Sequence, residues 1–209
     1  MMRKKIIPII LAAALLLAGL GIYVSANRSR MQMQLMGQAY AEASGRTDDP
    51  VIAAFKGTEI RQSRIDYEKQ IMTVMEGRTT AGDAQALNRR LRNLAMLEEA
   101  ERRGLTVTQE EVNYELNGQR QLYADEEGVR EMLDDYCENA GITIEQHFSM
   151  QEELMPHYIL RQKLRDALGQ EYCAQHGLEF TRVNPPQEML DYLSRYLEGL
   201  LDTYRADIT

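Results

Sequence analysis

The chain has 209 residues, with 32 acidic and 24 basic side chains for a net charge of −8 at pH 7, 44% hydrophobic residues, no tryptophan and two cysteines. That length suits one domain plus a leader or anchor. The acidic balance argues against nucleic acid as a partner, because phosphate binding draws on clustered Lys and Arg.

Arg3, Lys4 and Lys5 precede an apolar run over residues 6–24, interrupted only by Pro8 and two glycines. With Val24-Ser25-Ala26 behind it, the run marks residues 1–26 as a signal peptide, cleaved near Ala26, or as a transmembrane signal-anchor. At 19 residues it reaches about the ~20 of a spanning helix, so both fates stay open. The leading positive charges put the N-terminus inside and the rest of the chain on the extracytoplasmic face of the membrane. No cysteine follows the run, so no lipid anchor is expected. Setting aside the three leader charges leaves 21 basic against 32 acidic side chains, a net charge of −11, which suits a soluble exterior.

Residues 27–49 mix methionines with glutamines and small residues and read as a juxtamembrane spacer, partly helical. Pro50 closes it by disfavouring helix at Asp49. Val51 to Phe55 and residues 58–60 read as two strands joined at Lys56-Gly57. A lone hairpin is marginal and needs helices or a third strand. Residues 63–76 form the next helix, with Tyr67, Ile71, Val74 and Met75 on one side; Arg61 stands where a cap is wanted, which moves the expected cap to Ser63.

Residues 87–116 read as helix, stop, helix. Leu87, Leu91, Leu94, Ala95 and Leu97 share one face, and Gly104 followed by Leu105 has the form of a Schellman stop. Thr108 and Glu111 make a capping box, with Val107 and Val112 placed as a hydrophobic staple. Val129, Met132, Leu133, Tyr136, Cys137 and Ala140 then recur at helical spacing up to Gly141. Thr143 and Gln146 form a second capping box, opening a helix faced by Ile144, Phe148, Met155 and Ile159; Pro156 is expected to kink or divide it. Residues 169–183 read as a linker. Asn184-Pro185-Pro186 starts a last helix with Met189, Leu193, Tyr196, Leu197, Leu200 and Tyr204 as its stripe.

The run from Leu91 to Val112, with VIAAFKGTEI before it and GITIEQHF after it, resembles the N-terminal domain of the SurA/PrsA class of extracytoplasmic foldases, chaperones related in this region to the client-binding part of trigger factor. The resemblance covers residues 50–168. It implies a mainly α fold, a SurA N-terminal-like helical lobe with a small β-hairpin near the start and a C-terminal helix over residues 184–209 packing back on it. In such proteins the tail often returns to the first lobe, so residues 206–209 are a candidate third strand. Many members also carry a parvulin prolyl isomerase domain, which needs on the order of a hundred residues. The 17 residues from Gly169 to Pro185 leave no room for one. Isomerase activity is therefore not carried over.

Catalytic signals are thin. His147, His157 and His176 show no metal-binding spacing, and Cys173-x-x-His176 lacks the second pair of a zinc site and the accessory groups of a nucleophile centre. Cys137 and Cys173 allow a disulfide without requiring one. The remaining signal is methionine and tyrosine at helical spacing, side chains that adapt to varied partners but more often fill a core. With the resemblance, Met72, Met75, Tyr114, Tyr123, Met132, Tyr136, Phe148, Met155 and Tyr158 become candidates for a client-binding cleft. The expected partners are unfolded or newly secreted polypeptides, with the membrane through the N-terminal segment, no cofactor, and a homodimer left open. The rival readings are an interaction subunit for one envelope or membrane partner and an enzyme centred on Cys173 and His176.

Overall fold

The computed structural model describes residues 26–75, 77 and 81–209. The expected signal peptide or transmembrane anchor lies outside the described residues, apart from Ala26. Among the described residues there are seven α-helices and one hairpin: α1 (Ala26–Ser44), β1 (Val51–Phe55), β2 (Thr58–Arg61), α2 (Gln62–Gln70), α3 (Asp83–Arg102), α4 (Gln109–Asp125), α5 (Glu127–Ala140), α6 (Ile144–His176) and α7 (Gln187–Thr203). The fold is mainly α, as expected. Among the described residues no helix is long and apolar enough to cross a membrane.

The first correction concerns residues 27–49. They are no spacer: α1 lies along α5 and buries Met33, Met36 and Ala39. Gly37 permits the close approach, since a Cβ there would stand 2.9 Å from the Cβ of Asn139 and 3.0 Å from the amide nitrogen of Ala140. Arg30 then fixes the register with a 2.6 Å bond to Asp135. The glutamines make this stretch look like linker, but Met33, Met36 and Gly37 face the partner helix and Arg30 and Gln38 bond to it.

β1 and β2 pair antiparallel with Phe55 opposite Thr58, so Lys56 and Gly57 alone make the turn, both with positive φ (47° and 80°). That matches the type I′ turn of a two-residue hairpin, in which glycine relieves one of two strained positions. The free edge of β1 is taken by the chain's end. Ala54 and Thr209 exchange backbone hydrogen bonds, Lys56 N–H donates to Asp207 C=O at 2.9 Å, and Ile208 bridges Phe55. The tail thus pairs where a third strand was expected.

The cap of α2 comes from a distance. Arg61 holds the N-cap position without a side-chain bond, while the Asp49 carboxylate accepts from both the amide and the hydroxyl of Ser63 at 2.7 Å. Its last turn, Ile71–Met75, widens to π geometry. At α3 the stop forms as expected: Gly104 takes φ 72°, and Leu105 N–H donates to Ala100 C=O at 3.0 Å. Both capping boxes, Thr108 with Glu111 and Thr143 with Gln146, are complete.

The second correction is α6. Its 33 residues run through Pro156 without a break and continue to His176, so the linker is residues 177–186 and not 169–183. At 1.5 Å per residue the helix is about 50 Å long, enough to serve two cores. Its first half packs Met155 and Ile159 against Val112 and Leu116 of α4. Its second half buries Leu160, Leu164, Leu168 and Cys173 with the hairpin, α3 and α7. A third core joins α1 to α5 around Met33, Met36, Leu133 and Tyr136. Gly169 lies on α6 where a Cβ would come within 3.0 Å of Met189 of α7, so the amphipathic α7 can sit closely on the second half.

Candidate functional site

Seven of the nine candidate residues are spread over the three cores, and Tyr114 and Phe148 belong to none of them. Met72, Tyr136, Phe148 and Met155 are buried, at 2%, 2%, 7% and 1% exposure, and are packing residues. Met75, Tyr123 and Met132 are half-buried beside the α1–α5 core. Tyr123 also donates a 2.8 Å hydrogen bond to Asp134 and meets Phe148 edge to face. Only Tyr114 and Tyr158 are brought together in an open site. Tyr114 is 53% exposed, and both line a cleft of about 430 Å³ between α4 and α6.

The cleft follows from two helical stripes. On α6, Tyr158, Gln162 and Asp166 stand at i, i+4 and i+8; on α4, Glu110, Glu111, Tyr114 and Glu115 face them. Ile159 forms part of the apolar lining, and Arg182 of the loop before α7 closes one end through its pair with Asp166. Lys163 bridges the helices, donating to Glu111 at 2.6 Å and to Thr106 C=O at 2.7 Å. That cation holds the Glu111 carboxyl below its usual range, with the Thr108 amide assisting. Glu115 moves the other way: partial burial raises its pKa, and Arg182 offsets only part of the effect. Burial likewise raises the Tyr158 phenol. The site is an apolar, aromatic floor with a charged rim in which four acidic side chains outnumber Lys163 and Arg182, a surface suited to holding a side chain by contact.

Sequence reasoning passed over Gln162, Lys163, Asp166 and Arg182. The 158/162/166 spacing carried the signal for two of them, but Arg182 comes to the cleft from a loop and has no periodic signature.

The remaining candidates do not assemble. Cys173 is sealed at 1% exposure with its Sγ 3.6 Å from the sulfur of Met189, while His176 lies outside, stacked on Tyr172 at 4.0 Å. Cys137 and Cys173 are free thiols in separate cores, and burial pushes the Cys137 thiol up to about 11. Among the described residues no three His, Cys, Asp or Glu side chains are grouped to hold a metal ion. His147 is 1% exposed between the rings of Tyr136 and Phe148, with neither ring nitrogen hydrogen-bonded.

No family model matches the chain, and no curated protein and no solved structure matches it.

Proposed function

We propose that the chain is a non-catalytic polypeptide-binding protein of the extracytoplasmic chaperone type, holding segments of unfolded or newly secreted chains at the α4–α6 cleft. The observation that carries this reading is Tyr114, a large aromatic side chain left 53% exposed beside Tyr158 and Ile159 in a cleft of about 430 Å³. An exposed ring beside an apolar floor suits a partner's side chain, and a shallow site gives contacts weak enough to exchange. Two further features support it: the helix-boundary motifs that resemble those of the SurA/PrsA class, and the leader, which reads as an address outside the cytoplasm.

The size of the cleft also favours a narrower reading. About 430 Å³ seats one or two side chains, which suits a subunit that holds a single envelope or membrane partner. Breadth of binding separates the two. The chain is titrated with a permanently unfolded polypeptide and, separately, with the same protein folded, while backbone NMR shifts are followed. Shifts with the unfolded form alone, centred on Tyr114, Tyr158 and Ile159, support the chaperone reading. Silence with both forms removes it and leaves the single-partner subunit.

A further inference from the structure

α6 carries a second stripe, one step round the helix from the cleft. His157, Arg161 and Arg165 stand at i, i+4 and i+8 and so share a face. α3 packs on α6 and α2 packs on α3, and they bring Arg90 and Arg64 to the same region. The carboxylate among these cations is Glu68 of α2. It is 2% exposed and already taken by Arg64 at 3.0 Å and Arg89 at 3.1 Å.

Arg90 and Arg161 feel Glu68 only at a distance and hold no carboxylate of their own. Among the described residues Arg90, Arg161 and Arg165 make no hydrogen bond or ion pair, whereas Arg30, Arg46, Arg103 and Arg182 each hold a carboxylate. Arg64 has a buried Nε without a hydrogen-bond partner. Loss of hydration, reinforced by neighbouring arginines, lowers the pKa of Arg90 and Arg165 and brings Arg161 down to about 10. His157, although exposed at the surface, is drawn down too, first by partial loss of hydration, then by Arg161 and Arg90, with Glu101 acting weakly against them. Arg90 and Arg161 are half-buried and Arg165 is exposed, so the guanidinium groups are hemmed in by protein yet open to a ligand. Clustered like charges with an unsatisfied buried donor oppose folding, and such local conflicts concentrate where a protein meets a partner.

We propose that this arginine face binds the carboxylates of an acidic segment in a polypeptide partner. The inference rests on the polypeptide-binding reading and names the chemistry of the segment bound. Guanidinium forks take carboxylates two oxygens at a time, and a short run of Asp or Glu matches in number the three arginines that hold no carboxylate. A nucleic acid strand fits less well, because its phosphates continue past the face onto a protein of net charge −8. Tyr158 stands between the arginine stripe and the cleft, so a segment with acidic residues next to an apolar one engages both.

The test uses the full-length chain and three labelled peptides that share one apolar core and carry Glu, Gln or Lys on its flanks, read by fluorescence anisotropy. The Glu peptide is expected to bind about ten-fold more tightly than the Gln peptide, with the Lys peptide weakest. Arg161→Gln with Arg165→Gln abolishes that order, leaves the Gln peptide unchanged, and raises the melting temperature because repulsion is relieved. Arg161→Glu with Arg165→Glu turns the preference towards the Lys peptide. Equal binding of all three peptides by the wild-type chain overturns the acidic assignment and leaves polypeptide binding standing. Binding of none overturns both. Tighter binding of a single-stranded oligonucleotide than of the Glu peptide overturns the carboxylate assignment in favour of phosphate.

Discussion

Tyr204, the residue that closes α7, donates a 3.1 Å hydrogen bond to Glu99 in α3, 105 positions earlier in the chain. Tyr196 donates to the same carboxylate at 2.7 Å, and Arg102 and Arg103 at 2.8 Å, so a side chain only 2% exposed is fully partnered. Arg102 is the largest cause of a pKa held to about 2, against the opposing effect of burial. Replacing Glu99 by Gln keeps the shape but removes the charge that Arg102 and Arg103 share and turns one acceptor of the tyrosine hydroxyls into an amide donor, while Arg103 keeps Glu171 and Arg102 stays open to water. A loss of about 3 kcal/mol is expected in urea denaturation at pH 7. Because the carboxyl pKa is depressed by folding, its contribution is complete above about 4.5 and lost as pH falls towards 2. The gap between wild type and Glu99→Gln should close over that window.

His147 gives the protein a separate acid sensitivity. Burial lowers its pKa from 6.5 to about 4, so between those values the unfolded chain holds a proton that the folded chain refuses. Stability is therefore full above about pH 6.5 and falls by about 3 kcal/mol by pH 4. His147→Phe removes the titration and two unpaired nitrogens while keeping a ring beside Tyr136 and Phe148. Denaturation midpoints at pH 7 and 4.5 should differ less for this variant than for the wild type, and an unchanged difference would assign the acid sensitivity to other groups.

The helix boundaries were legible because their causes are local: Gly104-Leu105, Thr108 with Glu111 and Thr143 with Gln146 are each settled within a turn of chain. The apolar stripes of α3, α5 and α7 were legible by the same reasoning. The end of α6 at Gly177-Leu178 has an equally local cause and still escaped, while the other misses depend on a distant partner. Asp49 caps α2 across 14 positions, and α1 is a helix of the body only because α5 receives its Gly37 and methionines. For the site, periodicity identified apolar faces but not whether a neighbour covers them. Met155 and Tyr158 are three residues apart on one helix, and only the position of α4 makes one core and the other cleft.

Gly37 tests whether α1 belongs to the folded unit. A side chain there meets the α5 backbone at Ala140 and the Cβ of Asn139, atoms that cannot rotate away. Gly37→Val is expected to destabilise by about 2 kcal/mol or more, despite valine's better helix propensity than glycine. Limited proteolysis should cut first within α1 in the variant, whereas the wild type should resist at the same sites.

The C-terminal tail should guard the hairpin. Removing residues 206–209 leaves the Ala54 and Lys56 amides without their acceptors, the carbonyls of Thr209 and Asp207. Hydrogen exchange at those two amides should then approach that of an open strand edge, while the amides of α3 keep their protection. Equal protection in the truncated and intact chains would mean the pairing is not held in solution.

Tyr114 offers the cleanest separation of binding from folding. Its ring is more than half exposed and belongs to none of the three cores, so Tyr114→Ser should change stability by no more than about 0.5 kcal/mol. Met155→Ala is the contrasting case: the side chain is 1% exposed within the α4–α6 core, and its truncation should cost about 2–5 kcal/mol. If the cleft takes a partner's side chain, Tyr114→Ser lowers affinity for an unfolded polypeptide several-fold with the melting temperature intact, a loss of about 1 kcal/mol. Should Met155→Ala weaken binding only in proportion to its unfolded fraction, while Tyr114→Ser weakens it outright, the cleft surface and not the core beneath it is the contact. Undiminished affinity in Tyr114→Ser would move the binding surface away from α4.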